Sequence, residues 1–245
     1  MRRSLCLVAL LATHAHASPL VLDAHHFDAE LVTEINMYPN ELAQPLSFAP
    51  DIWYGVTSRW TVGLVHSHPS VDRFEPGASI CVVQLGLKCE TTYHGGGIDV
   101  RYGALDWLAP RLRLLVTDGH PSAADPIKPA VTLGALLRWT KAWFSITGDP
   151  YLQLGLANTD RGNRHQIFLP VMFAARPIER WEVAVHTGFD SPFAAGYCHV
   201  PLAISTRVSA TEHFDVGAAF GWKDLLGCQP TGKERALFIT LAWRQ

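Results

Sequence analysis

Trp181, Val183, Val185, Thr187 and Phe189 occupy every second position of one short stretch, and Glu182, Ala184, His186 and Gly188 occupy the positions between them. A β-strand sends alternate side chains to opposite faces, so this stretch has one apolar face with a large aromatic at each end. Its other face is small and polar. Burial in a soluble sandwich would account for the apolar face but not for aromatics at both of its ends. A strand that crosses a lipid bilayer accounts for both, because aromatic side chains collect at the two interfaces.

The same parity recurs along the chain. Leu31, Thr33, Ile35 and Met37 mark a first strand, and Ile52, Tyr54 and Val56 a second that turns at Ser58-Arg59 into Trp60, Val62 and Leu64. Ile98, Val100 and Tyr102 lead through a turn at Leu108-Ala109-Pro110 to Leu112, Leu114 and Val116. Val131 to Trp139 turns at Thr140-Lys141 into Phe144, Ile146, Leu152, Leu154 and Leu156. Pro150 lacks a ladder donor, so it predicts a kink inside that strand or a split into two. Ile167 to Ala175 turns at Pro177-Ile178-Glu179 into the Trp181 strand. Val200 to Val208 turns at Ala210 to His213 into Phe214 to Trp222, and Leu237, Ile239, Leu241 and Trp243 end the chain. Short turns follow even strands and longer loops follow odd ones.

No run in the chain reaches the ~18 apolar residues of a spanning helix. The sequence is nevertheless 48% hydrophobic and only 17% charged. A closed barrel is the other structure that satisfies every backbone group in lipid. The expected fold is therefore all-β, a transmembrane antiparallel up-and-down barrel of about twelve strands, its short turns periplasmic and its longer loops extracellular.

Arg2 and Arg3, the apolar run Leu5 to Ala12 and the small-x-small triplet Ala15-His16-Ala17 read as a secretory signal peptide over residues 1–17. Residues 18–245 are then one barrel domain. With 20 basic and 22 acidic residues the chain has no electrostatic footprint for nucleic acid. Cys81, Cys89, Cys198 and Cys228 remain after cleavage, an even number in an exported chain, which favours disulfides over a metal site. All fall in long loops. Cys198 and Cys228 lie in neighbouring loops on one rim, so the expected pairs are Cys81–Cys89 and Cys198–Cys228.

Ala236 to Trp243, with Leu237, Ile239, Leu241 and Trp243 at alternate positions, resembles the C-terminal strand by which bacterial outer-membrane β-barrel proteins are recognised by their assembly machinery. Where that class usually ends on phenylalanine, this chain has Trp243 followed by Arg244 and Gln245. The resemblance covers the whole mature length and implies residence in the bacterial outer membrane among lipid and lipopolysaccharide, as a monomer. It is porin-like and names no specific family. Members with about twelve strands include passive channels, a phospholipase and protease or autotransporter pores, so the resemblance carries over no functional residue.

By parity the candidate pore-lining residues include Arg101, Arg113, Arg138, Arg176, Glu182, His186, Arg207 and Asp215. Arg113, Arg138, Arg176 and Arg207 fall near expected periplasmic ends, where a ring of charge would bias a pore toward anions. Alternatively these arginines pair with Glu34, Glu182 and Asp215 and plug the lumen, as buried charges in a narrow barrel must be paired. The expected function is a narrow passive channel for small hydrophilic solutes, anions among them; the alternative is a plugged barrel with a structural or surface-interaction role. Burial of the inward side chains Trp53, Leu136 and Phe168 in the bore would favour the alternative.

No enzyme, cofactor or metal site is expected. Ser67 lies between His66 and His68, but adjacent strand residues point to opposite faces, and no G-x-S-x-G is present. His66-x-His68 and His25-His26-x-Asp28 lack a third ligand at a defined spacing. Gly95-Gly96-Gly97 lacks the strand-loop-helix context of a phosphate cradle and reads as a flexible lead-in to a strand.

Overall fold

A computed structural model describes residues 20–40, 42–43, 46–66, 80–81, 95–117, 126–193, 198–228 and 230–245. The signal-peptide residues, Ser67, His68 and Cys89 lie outside the described residues. Extended segments follow one another as β1 (Phe27–Asn36), β2 (Leu46–Thr57), β3 (Trp60–Val65), β4 (Ile80–Cys81), β5 (Gly95–Tyr102), β6 (Leu108–Thr117), β7 (Lys128–Lys141) and β8 (Phe144–Gly148). The second half holds β9 (Tyr151–Gly155), β10 (Gln166–Phe168), β11 (Val171–Ile178), β12 (Trp181–Thr187), β13 (Asp190–Pro192), β14 (Leu202–Ser209), β15 (Phe214–Asp224) and β16 (Thr231–Arg244).

These segments form one closed antiparallel barrel of twelve staves. β8 and β9 are successive halves of one stave, pairing with the two ends of β7. β10 and β11 make the next stave, and β12 with β13 the one after. β4 only adds two residues beside the start of β2. The ring closes where β1 pairs with β16, from Asp28 opposite Arg244 to Asn36 opposite Ala236.

Polarity is reversed relative to a water-soluble domain. Ile98, Leu114, Leu133, Val185, Ile204 and Ile239 are exposed on the outer wall, whereas the largest fully buried side chains include Arg113, Thr61, Thr132, Asp51 and Asp99. Only a wall with lipid outside makes that partition favourable. At the short-turn rim the outer wall carries aromatic pairs, Phe27–Trp243 at 5.5 Å, Trp60–Tyr102 at 4.8 Å and Trp139–Phe144 at 6.3 Å between ring centroids. Phe189 is exposed near the far rim, where Phe220 packs on Trp222 at 4.8 Å. The aromatics at both ends of the Trp181–Phe189 stretch thus have counterparts around the barrel.

Several boundaries differ from the sequence reading. Leu108-Ala109-Pro110 is already strand, and the turn lies before it, because Ala109 and Pro110 pair with Leu136 and Ala135. β7 runs on through Lys141, and the return is made at Ala142, which takes a positive φ of 52°. β2 begins at Leu46 despite Pro50, and the Gly95–Gly97 run is the paired start of β5 rather than a lead-in. Pro150 does split its strand, and similar breaks stand in the next two staves, at Leu169-Pro170 and Gly188-Phe189. Hydrogen bonds still cross the breaks, from Asp149 N–H to the Pro170 carbonyl and from Leu169 N–H to the Phe189 carbonyl. The side-chain parity therefore survives each break.

The inside-out wall generates a direct test. Ile239→Arg, on the lipid face near mid-height, should destabilise the barrel by about 2–4 kcal/mol. Thr240→Asn, one residue on and facing the lumen, should cost far less. Urea unfolding in vesicles measures both, and equal losses would contradict the assigned faces.

Candidate functional site: a half-filled lumen

The inner wall is divided. Along β2, β3, β5, β6 and the β9 and β10 half-staves, large side chains reach inward and lock together. The Trp53 indole N–H donates to Asp99 Oδ2 at 3.0 Å. It can do so because its in-register neighbour is Gly63; a Cβ there would overlap the Trp53 ring. Asp99 also accepts from Arg111 Nε at 2.7 Å and Nη2 at 2.9 Å, and from Arg101 Nε at 2.8 Å. Arg111 Nη1 continues to Asp149 Oδ2 at 2.5 Å. Arg113 donates to the Thr132 hydroxyl and lies 4.5 Å over the Tyr151 ring, which itself stacks on Phe168 at 4.5 Å. Asp99 is 0% and Arg113 1% exposed, so this is a dry charge network rather than a channel lining.

The chain ahead of β1 adds to the same side. Leu20 packs against Ala109 and Leu136, and Leu22 against Trp53, Val65 and Leu115. The Leu22 N–H donates to the Thr61 hydroxyl, and His25 N–H and the His26 carbonyl bond the backbone of Gly55. A Cβ at Gly55 would collide with the Asp23 carbonyl, so the glycine makes room for the strap. Residues 20–26 thus run along the filled flank inside the short-turn mouth, from β2 to β7.

The opposite wall contributes little bulk. Facing inward from β11, β12, β14 and β15 are the buried Ala174, Ala184, Ala203, Gly217 and Gly221 and the partly exposed Ser205, with Met172 and His186 as the larger side chains above the mouth. Below them, at the short-turn mouth, ionic side chains pair between staves, two pairs joining neighbours and one reaching from β14 to β1. Arg176 binds Glu182 through Nε and Nη2, both at 2.9 Å, Arg207 reaches Glu30 at 3.3 Å, and Arg244 pairs with Asp215. His186 shares a 2.7 Å hydrogen bond with Ser205 Oγ above this layer.

Of the residues expected to line a pore, Arg101, Arg138, Arg176, Glu182, Arg207 and Asp215 belong to the mouth layer and His186 lies just above it. Arg113 does not join them. Because β6 begins at Leu108, Arg113 sits well up the wall, inside the filled side. The pairing partners also differ from expectation: Glu30 and Arg244 replace Glu34 as mouth partners, and Asp99 and Asp149 hold the inner arginines. Arg111 and Asp149 were not singled out from sequence. Arg111 shares the parity of Arg113, which was a signal available to find it; Asp149 stands at a strand break, where parity could not be trusted. The three inward residues Trp53, Leu136 and Phe168 are all buried.

Elsewhere, the Cys198–Cys228 disulfide is present, with a Cα–Cα distance of 5.1 Å. It ties the lead into β14 to the end of the loop after β15, beside Asp224, whose Oδ1 accepts from Val200 and Gly227 N–H. The Cys81–Cys89 pair lies outside the described residues. His66 is engaged through Nδ1 with the Pro50 carbonyl at 2.6 Å, and His25 with the Tyr54 hydroxyl at 2.9 Å. Among the described residues no three His, Cys, Asp or Glu side chains converge as metal ligands.

No family model matches the chain, and no curated protein is similar to it in sequence. Solved structures are similar in fold. An outer membrane channel from Pseudomonas putida F1 aligns with a TM-score of 0.56 at 9% identity, over 94% of this chain and 99% of that one. Looser likenesses are a bacterial polysaccharide outer membrane secretin (TM-score 0.46, 14% identity, 92% and 99% covered) and the translocator domain of the autotransporter NalP from Neisseria meningitidis (TM-score 0.44, 8% identity, 91% and 89% covered). With the closed ring, the inverted polarity and the aromatic belts, the chain is a bacterial outer-membrane β-barrel with the fold of an outer-membrane channel.

The charge network makes a quantitative prediction. Asp99→Asn strands Arg111 and Arg101 without their shared carboxylate, which for a buried pair costs about 3–5 kcal/mol. Unfolding in vesicles should show that loss, and the loss should shrink when Arg111→Gln is added. An Asp99→Asn barrel as stable as the parent would remove the network from the account.

Proposed function

We propose that the protein is a narrow passive channel for small hydrophilic solutes, with its short-turn rim facing the periplasm. The division of the lumen is the observation that carries this reading. One wall is packed solid with Trp53, Leu115, Arg111, Tyr151 and Phe168, while the β11–β15 wall presents mainly alanine, glycine and serine, with Met172 and His186, above an ionic mouth. Solutes would move down their gradient along that small-residue wall, with the mouth arginines biasing selectivity toward anions. On this reading the barrel works as a monomer, surrounded by lipid and lipopolysaccharide, and β16 presents it to the assembly machinery.

A plugged barrel with a structural or surface-interaction role is the second reading. Burial of Trp53, Leu136 and Phe168 together with the strap of residues 20–26 favours it. Planar-bilayer recording separates the two. The channel reading predicts discrete conductance steps with anion preference, and larger steps for Gly55→Ala, which expels the strap carbonyl from its seat. A folded barrel that stays silent with and without Gly55→Ala would establish the plugged reading instead.

A further inference from the structure

Five guanidinium groups from five different staves reach one cross-section of the short-turn mouth: Arg101 from β5, Arg138 from β7, Arg176 from β11, Arg207 from β14 and Arg244 from β16. They do not stand apart. Arg138 lies within Coulombic range of both Arg176 and Arg101, and Arg244 within range of both Arg207 and Arg176. The carboxylates in the same layer are Asp28, Glu30, Glu182 and Asp215, one fewer than the arginines. Deeper in the filled side, Arg111 and Arg113 face Asp99 and Asp149 and add no surplus.

Packing like charges this closely opposes folding, and screening is weak inside a barrel wall. The layer keeps a positive surplus focused by low-dielectric walls, the condition that concentrates anions in a cleft. It is also reachable: the side chains of Arg176, Arg207 and Arg244 are 21%, 34% and 31% exposed, in contrast to Arg111 and Arg113. A guanidinium presents a planar fork of donors that fits the paired oxygens of a carboxylate or phosphate.

We infer that this mouth layer is a binding constriction for small oxyanions, solutes that carry a phosphate or carboxylate group. An incoming oxyanion would engage Arg138, Arg176 and Arg207 by sharing Arg176 with Glu182 and Arg207 with Glu30, its own charge offsetting the surplus of the layer. That this constriction filters transported solutes rests on the channel reading; the binding itself does not.

Titration calorimetry on the refolded full chain in neutral micelles at low ionic strength tests it, with inorganic phosphate and succinate as separate probes. At least one probe should bind saturably, and the one that binds identifies the preferred oxyanion. Arg176→Gln with Arg207→Gln should weaken binding roughly tenfold, equivalent to about 1.4 kcal/mol. Glu182→Gln should act in the opposite direction and tighten it, so a loss of binding through misfolding cannot imitate the pattern. Heat-modifiable gel mobility verifies that each variant is folded. No saturable binding of either probe, or affinity unchanged in these variants, overturns the inference. A conducting barrel that fails this test loses the oxyanion site alone, whereas binding to a silent barrel keeps the site and removes the channel.

Discussion

Hydrocarbon offers no hydrogen-bond partner, so every backbone N–H and C=O in the membrane must be satisfied within the protein. The rest of this structure follows from that constraint. It forces the ladder between β1 and β16 that closes the ring, and it explains how the wall tolerates its own interruptions. Pro150 and Pro170 each remove a donor, yet Ala135 N–H still reaches the Pro150 carbonyl and Asp149 N–H the Pro170 carbonyl. The breaks bend the staves without opening the sheet, and they set Asp149 where Arg111 can reach it.

Closure fixes the size of the bore, and the size creates the second problem. A barrel of eight strands is filled by its own wall side chains, while sixteen or more leave a water channel. Twelve staves lie between those limits. The protein meets the intermediate width asymmetrically. Large side chains and the strap of residues 20–26 consolidate one flank, where charges are buried and must therefore be paired. Small side chains line the other flank, and there the ionic groups remain partly solvated at the mouth. On the proposed channel reading, stability and permeation fall to different staves, so the Asp99 network can be rigid without obstructing the wall that faces it.

Strand parity was legible in the sequence because lipid demands apolar residues at every second position over a full crossing. The Trp181 stretch, β14 and β16 could be read almost residue by residue. Boundaries were harder where a turn is itself apolar: Leu108-Ala109-Pro110 looks like a turn but pairs with β7, since proline is tolerated where its missing N–H faces no partner. Inward positions were legible as a set, but not which of them would meet. Arg113 and Arg138 share a parity and a residue type, and only the register separates a buried mid-wall arginine from one at the mouth. The strap was invisible to periodicity, because seven residues lying along the inner wall need only three consecutive apolar anchors, Leu20, Val21 and Leu22, and glycines opposite.

The central claim is that water occupies only the β11–β15 side of the bore. Single cysteines placed at inward positions and challenged with a small, charged, membrane-impermeant thiol reagent in proteoliposomes test it most directly. Ser205→Cys and Ala219→Cys, at partly exposed inward positions, should react readily, whereas Thr61→Cys and Thr132→Cys, at positions fully buried in the filled flank, should stay protected until the barrel is unfolded. Equal labelling at all four positions, or labelling confined to Thr61→Cys and Thr132→Cys, would contradict the account.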